Sequence, residues 1–214
     1  VLGFAGLMGS GRTETVETLF GLRKPSSGQI IFEGKQIKYQ NNRQAIEDGI
    51  ALVSEDRRRQ GLIVEHTVKD NVVLPSLSRL TSFGVLIPQR LKDMANKAVE
   101  ELDIKTDGIN TRVSNLSGGN QQKVVISKWL RRAPKVLLMD EPTAGVDVGA
   151  KAEIVNIVRK LAEQQKTVIF ISSEISEMLA VCDRIIVLRD GEITGEFNHD
   201  EIKSEEALQH AIQN

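Results

Sequence analysis

The stretch GLMGSGRTE, Gly6 to Glu14, decides the fold. It follows an apolar, strand-like run, VLGFAGL, and precedes a short helical segment that reaches Phe20 and is closed by Gly21. Strand, glycine-rich loop and helix in that order form the context a phosphate-cradling loop requires. Gly6, Gly9 and Gly11 let the backbone fold tightly, so that amides along Met8, Ser10 and their neighbours can point inward at an anion. The helix that follows adds its positive N-terminal end. Thr13 supplies a hydroxyl at the place where Mg²⁺ is usually held. Two positions depart from the G-x-x-x-x-G-K-[ST] pattern: Arg12 replaces the lysine, and Glu14 brings a carboxylate to where phosphate would lie. On these residues alone, a plain glycine-rich turn between strand and helix remains open.

A second element lies about 130 residues downstream, where the apolar strand KVLLMDE ends in two carboxylates. Asp140 suits the water shell of a metal, and Glu141 suits a base that takes a proton from attacking water. Between the two comes LSGGN, Leu116 to Asn120, at the start of a further helical segment. Ser117 and the amides of Gly118 and Gly119 at a helix start would make a second anion site. A bare S-G-G is any flexible turn; about 20 residues before a DEPT strand end it is specific.

The rest of the chain sets the frame. QIIFEGKQI reads as a hairpin turned at Gly34, Ile50 to Val53 as a short buried strand, and DRRRQG as a very polar loop. From about His66 to Arg132 the pattern is helical, with Leu91, Met94, Ala95, Ala98 and Leu102 on one face. AEIVNIVRKLAEQ is amphipathic, with Ile154, Ile157, Val158 and Leu161 inward, and TVIFISS is a buried strand. RIIVLRDGEITGEF is a hairpin turned at Asp190-Gly191. Apolar strands alternating with helices predict an α/β fold with a parallel sheet covered on both faces. Flanking antiparallel hairpins and an inserted α-helical lobe complete it. The core takes residues 1–65 and 133–200, the lobe 66–132, and a final helix 204–213.

Composition excludes other classes. The 214 residues are 40% hydrophobic and 27% charged with net charge −1, which gives no electrostatic reason to propose nucleic acid as a partner. No apolar run approaches the roughly 18 to 20 residues that span a bilayer. The single cysteine, Cys182, rules out an internal disulfide and reads as a small buried core residue. His66, His199 and His210 have no ligand spacing, and Trp129 reads as core packing. Because Val1 lies inside a strand-like run, the chain is expected to be part of a longer polypeptide.

GLMGSGRTE, VSEDRRRQGL, LSGGNQQK, DEPTAGVDVGAK and ISSE, in this order, together resemble an ABC nucleotide-binding domain, a P-loop NTPase with a RecA-like core, across nearly the whole chain. The set is most similar to the C-terminal half of the tandem ATP-binding subunit of bacterial monosaccharide importers of the ribose and galactose type. The resemblance implies ATP and Mg²⁺ as ligands and ATP hydrolysis coupled to sugar import. It implies a second ATP-binding domain, membrane-spanning permease subunits and, indirectly, a periplasmic or extracellular sugar-binding protein as partners. The implied location is peripheral, on the cytoplasmic face of the membrane. It assigns Gly6, Met8, Gly9, Ser10, Gly11, Arg12, Thr13 and Glu14, with Ser173, to the domain's own nucleotide. Thr13, Glu55 and Asp140 fall to the metal and Glu141 to catalysis. Ser117, Gly118, Gly119 and Asn120 face a nucleotide held by the other domain, Asp147 sits at the domain–domain interface, and RRRQGL lies near the permease groove. An adenine-stacking aromatic is expected before the first strand.

Four positions depart from a working family member: Arg12 for lysine, Glu14 for a hydroxyl residue, Glu55 for glutamine and Ser173 for histidine. A like charge about 4 Å from phosphate costs on the order of 4 kcal/mol at an effective dielectric of about 20, unless Glu14 turns aside. The expectation is a degenerate nucleotide site of its own beside an intact signature segment, LSGGN, which resembles the signature motif of ABC-type ATPases. The rival is a soluble ABC ATPase acting on nucleic acid or ribosomes, against which the near-zero charge and the lack of a basic, aromatic-interleaved face count.

Overall fold

The computed structural model describes residues 1–82, 84–202 and 205–213. Strand β1 (Leu2–Ala5) leads through the glycine-rich loop into α1 (Arg12–Leu19), then a hairpin of β2 (Ile30–Phe32) and β3 (Lys35–Ile37), helix α2 (Asn42–Asp48) and β4 (Ile50–Val53). The middle of the chain holds α3 (Val68–Val73), a small hairpin of β5 (Thr81–Ser82) and β6 (Val85–Leu86), α4 (Pro88–Glu101) and α5 (Gly118–Leu130). The remainder runs β7 (Val136–Asp140), α6 (Val148–Glu163), β8 (Thr167–Ile171), α7 (Ile175–Val181), β9 (Arg184–Arg189), β10 (Glu192–Asn198) and α8 (Glu205–Gln213). Ser204, the expected first residue of the last helix, lies outside the described residues.

Two compact units divide the chain. The first comprises Val1–Leu52, Lys135–Pro142 and Val158–Asn214; the second comprises Val53–Pro134 and Thr143–Ile157. The sheet follows the order β10-β9-β1-β8-β7-β4. Strands β9, β1, β8 and β7 pair in parallel, and β10 returns antiparallel on β9. Central strands β1 and β7 are buried over nearly their whole length, as parallel strands covered on both faces must be. Edge strand β10 is largely exposed. Both chemistry-bearing segments of this unit, the glycine-rich loop and Asp140-Glu141, leave the carboxyl ends of parallel strands, where open α/β sheets bind ligands.

In the second unit α3, α4 and α5 pack on one another. Helix α5 is buried on almost every side, so its polar residues need internal partners. Gln121 donates from Nε2 to the Val113 and Leu116 carbonyls at 3.2 and 3.1 Å. Lys123 donates to the Asp103 carbonyl at 3.0 Å and pairs with Glu153. Trp129 packs in the core and lies 5.3 Å beneath the Lys128 ammonium. Burial of Ala95 and Ala98 marks the inward face of α4, and Ile154, Val158 and Leu161 are buried along α6.

Three elements differ from the sequence expectation. Helix α2 forms over a segment with little hydrophobic periodicity: Asn41 caps it by accepting from the Gln44 amide, and Gly49 ends it at φ 96°. DRRRQG is not an open loop: Arg57–Gly61 is one π-helical turn, capped by Asp56 accepting from Arg59 N–H at 3.1 Å. The helical middle is interrupted by the β5–β6 hairpin, whose strands are two residues each and too short to show alternation.

Candidate functional site

In the first unit, Gly6, Gly9 and Gly11 all take positive φ, 155°, 83° and 99°. A Cβ at Gly6 would stand 2.4 Å from the Leu188 carbonyl and 2.5 Å from Ser10 Oγ, so the loop closes only around glycine. The loop is also braced from β10's side, since Gly191 N–H donates to the Ser10 carbonyl at 3.0 Å. The amide of Ser10 turns back to Leu7 O at 3.0 Å, and the first helical bond of α1 is Thr15 N–H to Gly11 O at 3.0 Å. Amides of Gly9, Gly11, Arg12 and Thr13 meet no acceptor among the described residues. Ser10 Oγ is buried without a hydrogen-bond partner. Orphaned donors at the start of a helix fit a phosphate chain. Met8 is almost fully exposed at the tip.

Arg12 does not reach out of this cradle. Its Nη1 donates to the Ser172 carbonyl at 3.3 Å and lies 3.7 Å from Glu141 Oε1, with both side chains largely buried. Glu141 sits just past β7 at φ 45°, its amide donating to Ile171 O at 3.0 Å. Glu141 Oε2 accepts from Ser173 N–H at 3.0 Å and from Ser173 Oγ at 3.2 Å. Ser172 is fixed in turn, its hydroxyl donating to buried Glu177 at 2.7 Å. One carboxylate, one guanidinium and two serines therefore form a closed cluster. Asp140 is buried at the end of β7 and interacts within the fold, Thr13 is half-buried, and α1 packs against β7. Glu14 is exposed. Its charge is one of those that hold the Arg23 guanidinium above its ordinary pKa, after the hydrogen bond and charge of Glu17.

The second unit carries Glu55 and the signature segment. Glu55 is exposed, and its carbonyl accepts from Arg57 N–H at 3.0 Å. Ser117 caps α5 and its Oγ accepts from both the backbone and side-chain nitrogens of Asn120, at 3.4 and 2.9 Å. The Ser117 proton is thereby left to donate outward. Asn120 Oδ1 accepts from Lys105 N–H at 2.8 Å. Gly118 and Gly119 form the first turn of α5, and a Cβ at Gly119 would stand 2.3 Å from Ala150 Cβ. Asp147, expected at a domain interface, accepts from Ala150 N–H at 3.0 Å at the start of α6.

Sequence reasoning missed two groups. Ser172, next to the noted Ser173, supplies the carbonyl that takes Arg12. Arg57 was visible only as one charge in RRRQG, whereas its guanidinium donates to the Ala144 and Gly145 carbonyls at 2.7 and 3.0 Å. Burial and the neighbouring Arg58 charge lower its pKa, with Asp56 opposing. The triple-arginine run marked the place but not the partner. Among the described residues no cluster of three or more His, Cys, Asp or Glu side chains is arranged to hold a metal, and no helix is long and apolar enough to cross a membrane.

The ABC transporter family model matches residues 1–144. The chain is 49% identical over 209 residues to the xylose import ATP-binding protein XylG of Thermoanaerobacter pseudethanolicus, covering 97% of this chain and 41% of that protein. It is 44% identical over 213 residues to the ribose import ATP-binding protein RbsA of Caldanaerobacter subterraneus, covering 99% and 43%. The chain thus spans less than half the length of these relatives. Among solved structures it is similar to the ATP-binding cassette MJ0796 in a dimeric post-hydrolysis state bound to ADP and Pi. The TM-score is 0.79 at 25% identity, over 92% of this chain and 84% of that one. With the phosphate loop, the DEPT strand end and the signature helix placed as described, the chain belongs to the ABC transporter family.

Proposed function

We propose that this chain is one ATP-binding domain of a tandem protein that energises import of a monosaccharide across a bacterial membrane. Its partners in this reading are a second ATP-binding domain, membrane-spanning permease subunits and, indirectly, a sugar-binding protein, with the assembly's ATPase at the cytoplasmic face. Support comes from relatives named for xylose and ribose import that match nearly all of this chain.

The domain's own nucleotide site is degenerate in this reading, and the observation that carries it is the state of Glu141. Both carboxylate oxygens are engaged, Oε2 by two donors of Ser173 and Oε1 by the facing Arg12. A water awaiting deprotonation meets Oε2 already accepting two hydrogen bonds and Oε1 facing the Arg12 cation, and a phosphate has to draw Arg12 away from Glu141. The amides of Gly9, Gly11, Arg12 and Thr13 still bind phosphate, so occupancy without fast turnover is the natural outcome. Thr13 and Asp140 are the side chains of this unit that would hold Mg²⁺, which when bound offsets phosphate charge. Ser117, Gly118, Gly119 and Asn120 would complete the partner domain's nucleotide site, Ser117 donating its free proton to the γ-phosphate.

Two substitutions in the full assembly test the assignment. Ser117→Arg should abolish transport-linked ATP hydrolysis, whereas Glu141→Gln should cost much less. If Glu141→Gln is the more damaging, the roles of the two sites are reversed. Purified alone, the chain should show little Mg-ATPase activity; fast turnover would refute degeneracy.

A further inference from the structure

Arg57 is the first residue of the π-turn Arg57–Gly61, two positions after Glu55. Its half-buried planar fork reaches backbone of the second unit, where Nη1 and Nη2 donate to the successive carbonyls of Ala144 and Gly145 at 2.7 and 3.0 Å. The same Nη2 lies 2.8 Å from where a Cβ at Gly118 would stand, and Gly145 O lies 3.2 Å from that point. One guanidinium therefore fills the space between the first turn of α5 and the loop that leads into α6. Gly145 takes φ 65°, which turns consecutive carbonyls toward one donor group. The far end of the turn is held too: the buried Lys128 ammonium donates to the Gly61 carbonyl. A Cβ at Gly61 would meet Val125 of α5 at 3.1 Å, so the turn lies directly on that helix.

Two successive carbonyls facing one rigid fork are geometry that arginine satisfies and lysine does not, because an ammonium is a compact point charge without a planar pair of donors. We propose that Arg57 is a positioning residue. It locks the start of α5, with Ser117, Gly118 and Gly119, to the Ala144–Gly145 loop, so that the Ser117 hydroxyl and the amides behind it form a preset anion site. Its effect on catalysis runs through Ser117 and rests on the reading that the signature segment completes a partner's nucleotide site.

The test uses the full-length protein assembled with its membrane subunits. Because misplacing a catalytic donor by about 1 Å costs on the order of a hundredfold, Arg57→Gln should lower kcat for ATP about tenfold to a hundredfold. KM should move less than about twofold, since the lost contact acts in the transition state. Combined with Ser117→Ala, it should add little to the loss of the worse single variant, because both changes remove one function. Arg57→Lys should fall between wild type and Arg57→Gln. Amide exchange should quicken together at residues 117–121 and 144–147 in either Arg57 variant. Multiplying losses in the double variant, or unchanged exchange in both segments, overturns the inference. A Ser117→Ala variant with wild-type kcat overturns instead the underlying reading of the signature segment, and the exchange result then still decides whether Arg57 is the lock.

Discussion

Substituting Gly119 by alanine places a methyl group 2.3 Å from Ala150 Cβ, more than 1 Å inside ordinary van der Waals contact of about 3.5 to 4.0 Å. Both atoms are fixed to helices, near the starts of α5 and α6, so neither can swing away as a long side chain would. Overpacking of this kind costs about 1 to 3 kcal/mol. For a chain of this size that corresponds to a fall in Tm of about 2 to 12 °C. The geometry also specifies its own rescue. With Ala150→Gly added, the nearest remaining atom to the new Gly119→Ala methyl is Ala150 Cα at 3.7 Å, an ordinary contact. The helix-propensity gain at 119 and loss at 150 are each up to about 1 kcal/mol and opposite in sign, so the double variant should return to within about 1 kcal/mol of wild type. Thermal unfolding of the four proteins measures this directly. ATP hydrolysis by the full assembly should recover with it if Gly119 is there for close approach of the helices. An unchanged Tm for Gly119→Ala, or a double variant no more stable than the single, refutes the packing argument.

Lys128 is held at about 8, well below its usual 10.5, by burial. Between those values the unfolded chain carries a proton that the folded chain lacks, so stability should rise with pH through that window. The rise should total about 3 kcal/mol, from roughly 1.4 kcal/mol per unit; urea titrations should show it in wild type and not in Lys128→Met. Cys182 is pushed up to about 12, mainly by burial. Iodoacetamide at mildly alkaline pH should therefore modify it more than about a thousandfold more slowly in the native protein than in urea. Arg12→Lys with Glu14→Thr should tighten binding of a fluorescent ATP analogue by about fivefold, since an exposed charge is worth about 1 kcal/mol; unchanged affinity would show that Glu14 already lies out of range.

Much of the fold is legible because its physics is local or periodic. Strands β1, β7 and β8 announce themselves as continuous apolar runs, as central parallel strands do. Asp190-Gly191 announces the β9–β10 turn because both residues tolerate positive φ, 51° and 82°. The glycine-rich loop is legible from three glycines that all take positive φ, Gly6 with no room for a side chain besides. Helix α2 escapes notice because only Ala45 is buried along it, so no apolar stripe exists to be seen. The Arg57 clamp escapes for a different reason. Its acceptors are backbone carbonyls 87 and 88 residues away, and a carbonyl carries no residue identity that a sequence could display.

The same limit applies at the site itself, where it changes the meaning of an intact residue. In the sequence Arg12 and Ser173 are two separate departures, and Glu141 is a position left as a working enzyme has it. In the folded unit these three residues are partners: Arg12 supplies a facing charge, and Ser173 gives one hydrogen bond from its hydroxyl and one from its main chain to the retained carboxylate. Glutamate at 141 is thus compatible with slow turnover, because a base is defined by the lone pair it can offer water and not by its name. Binding and turnover at this site should separate for the same reason. The amides of Gly9, Gly11, Arg12 and Thr13 depend on the loop's glycines, whereas the base depends on what stands around it. In the proposed site a substitution at Arg12 or Glu14 would act on phosphate affinity, while Ser173 would continue to hold Oε2 whatever residue occupies position 12.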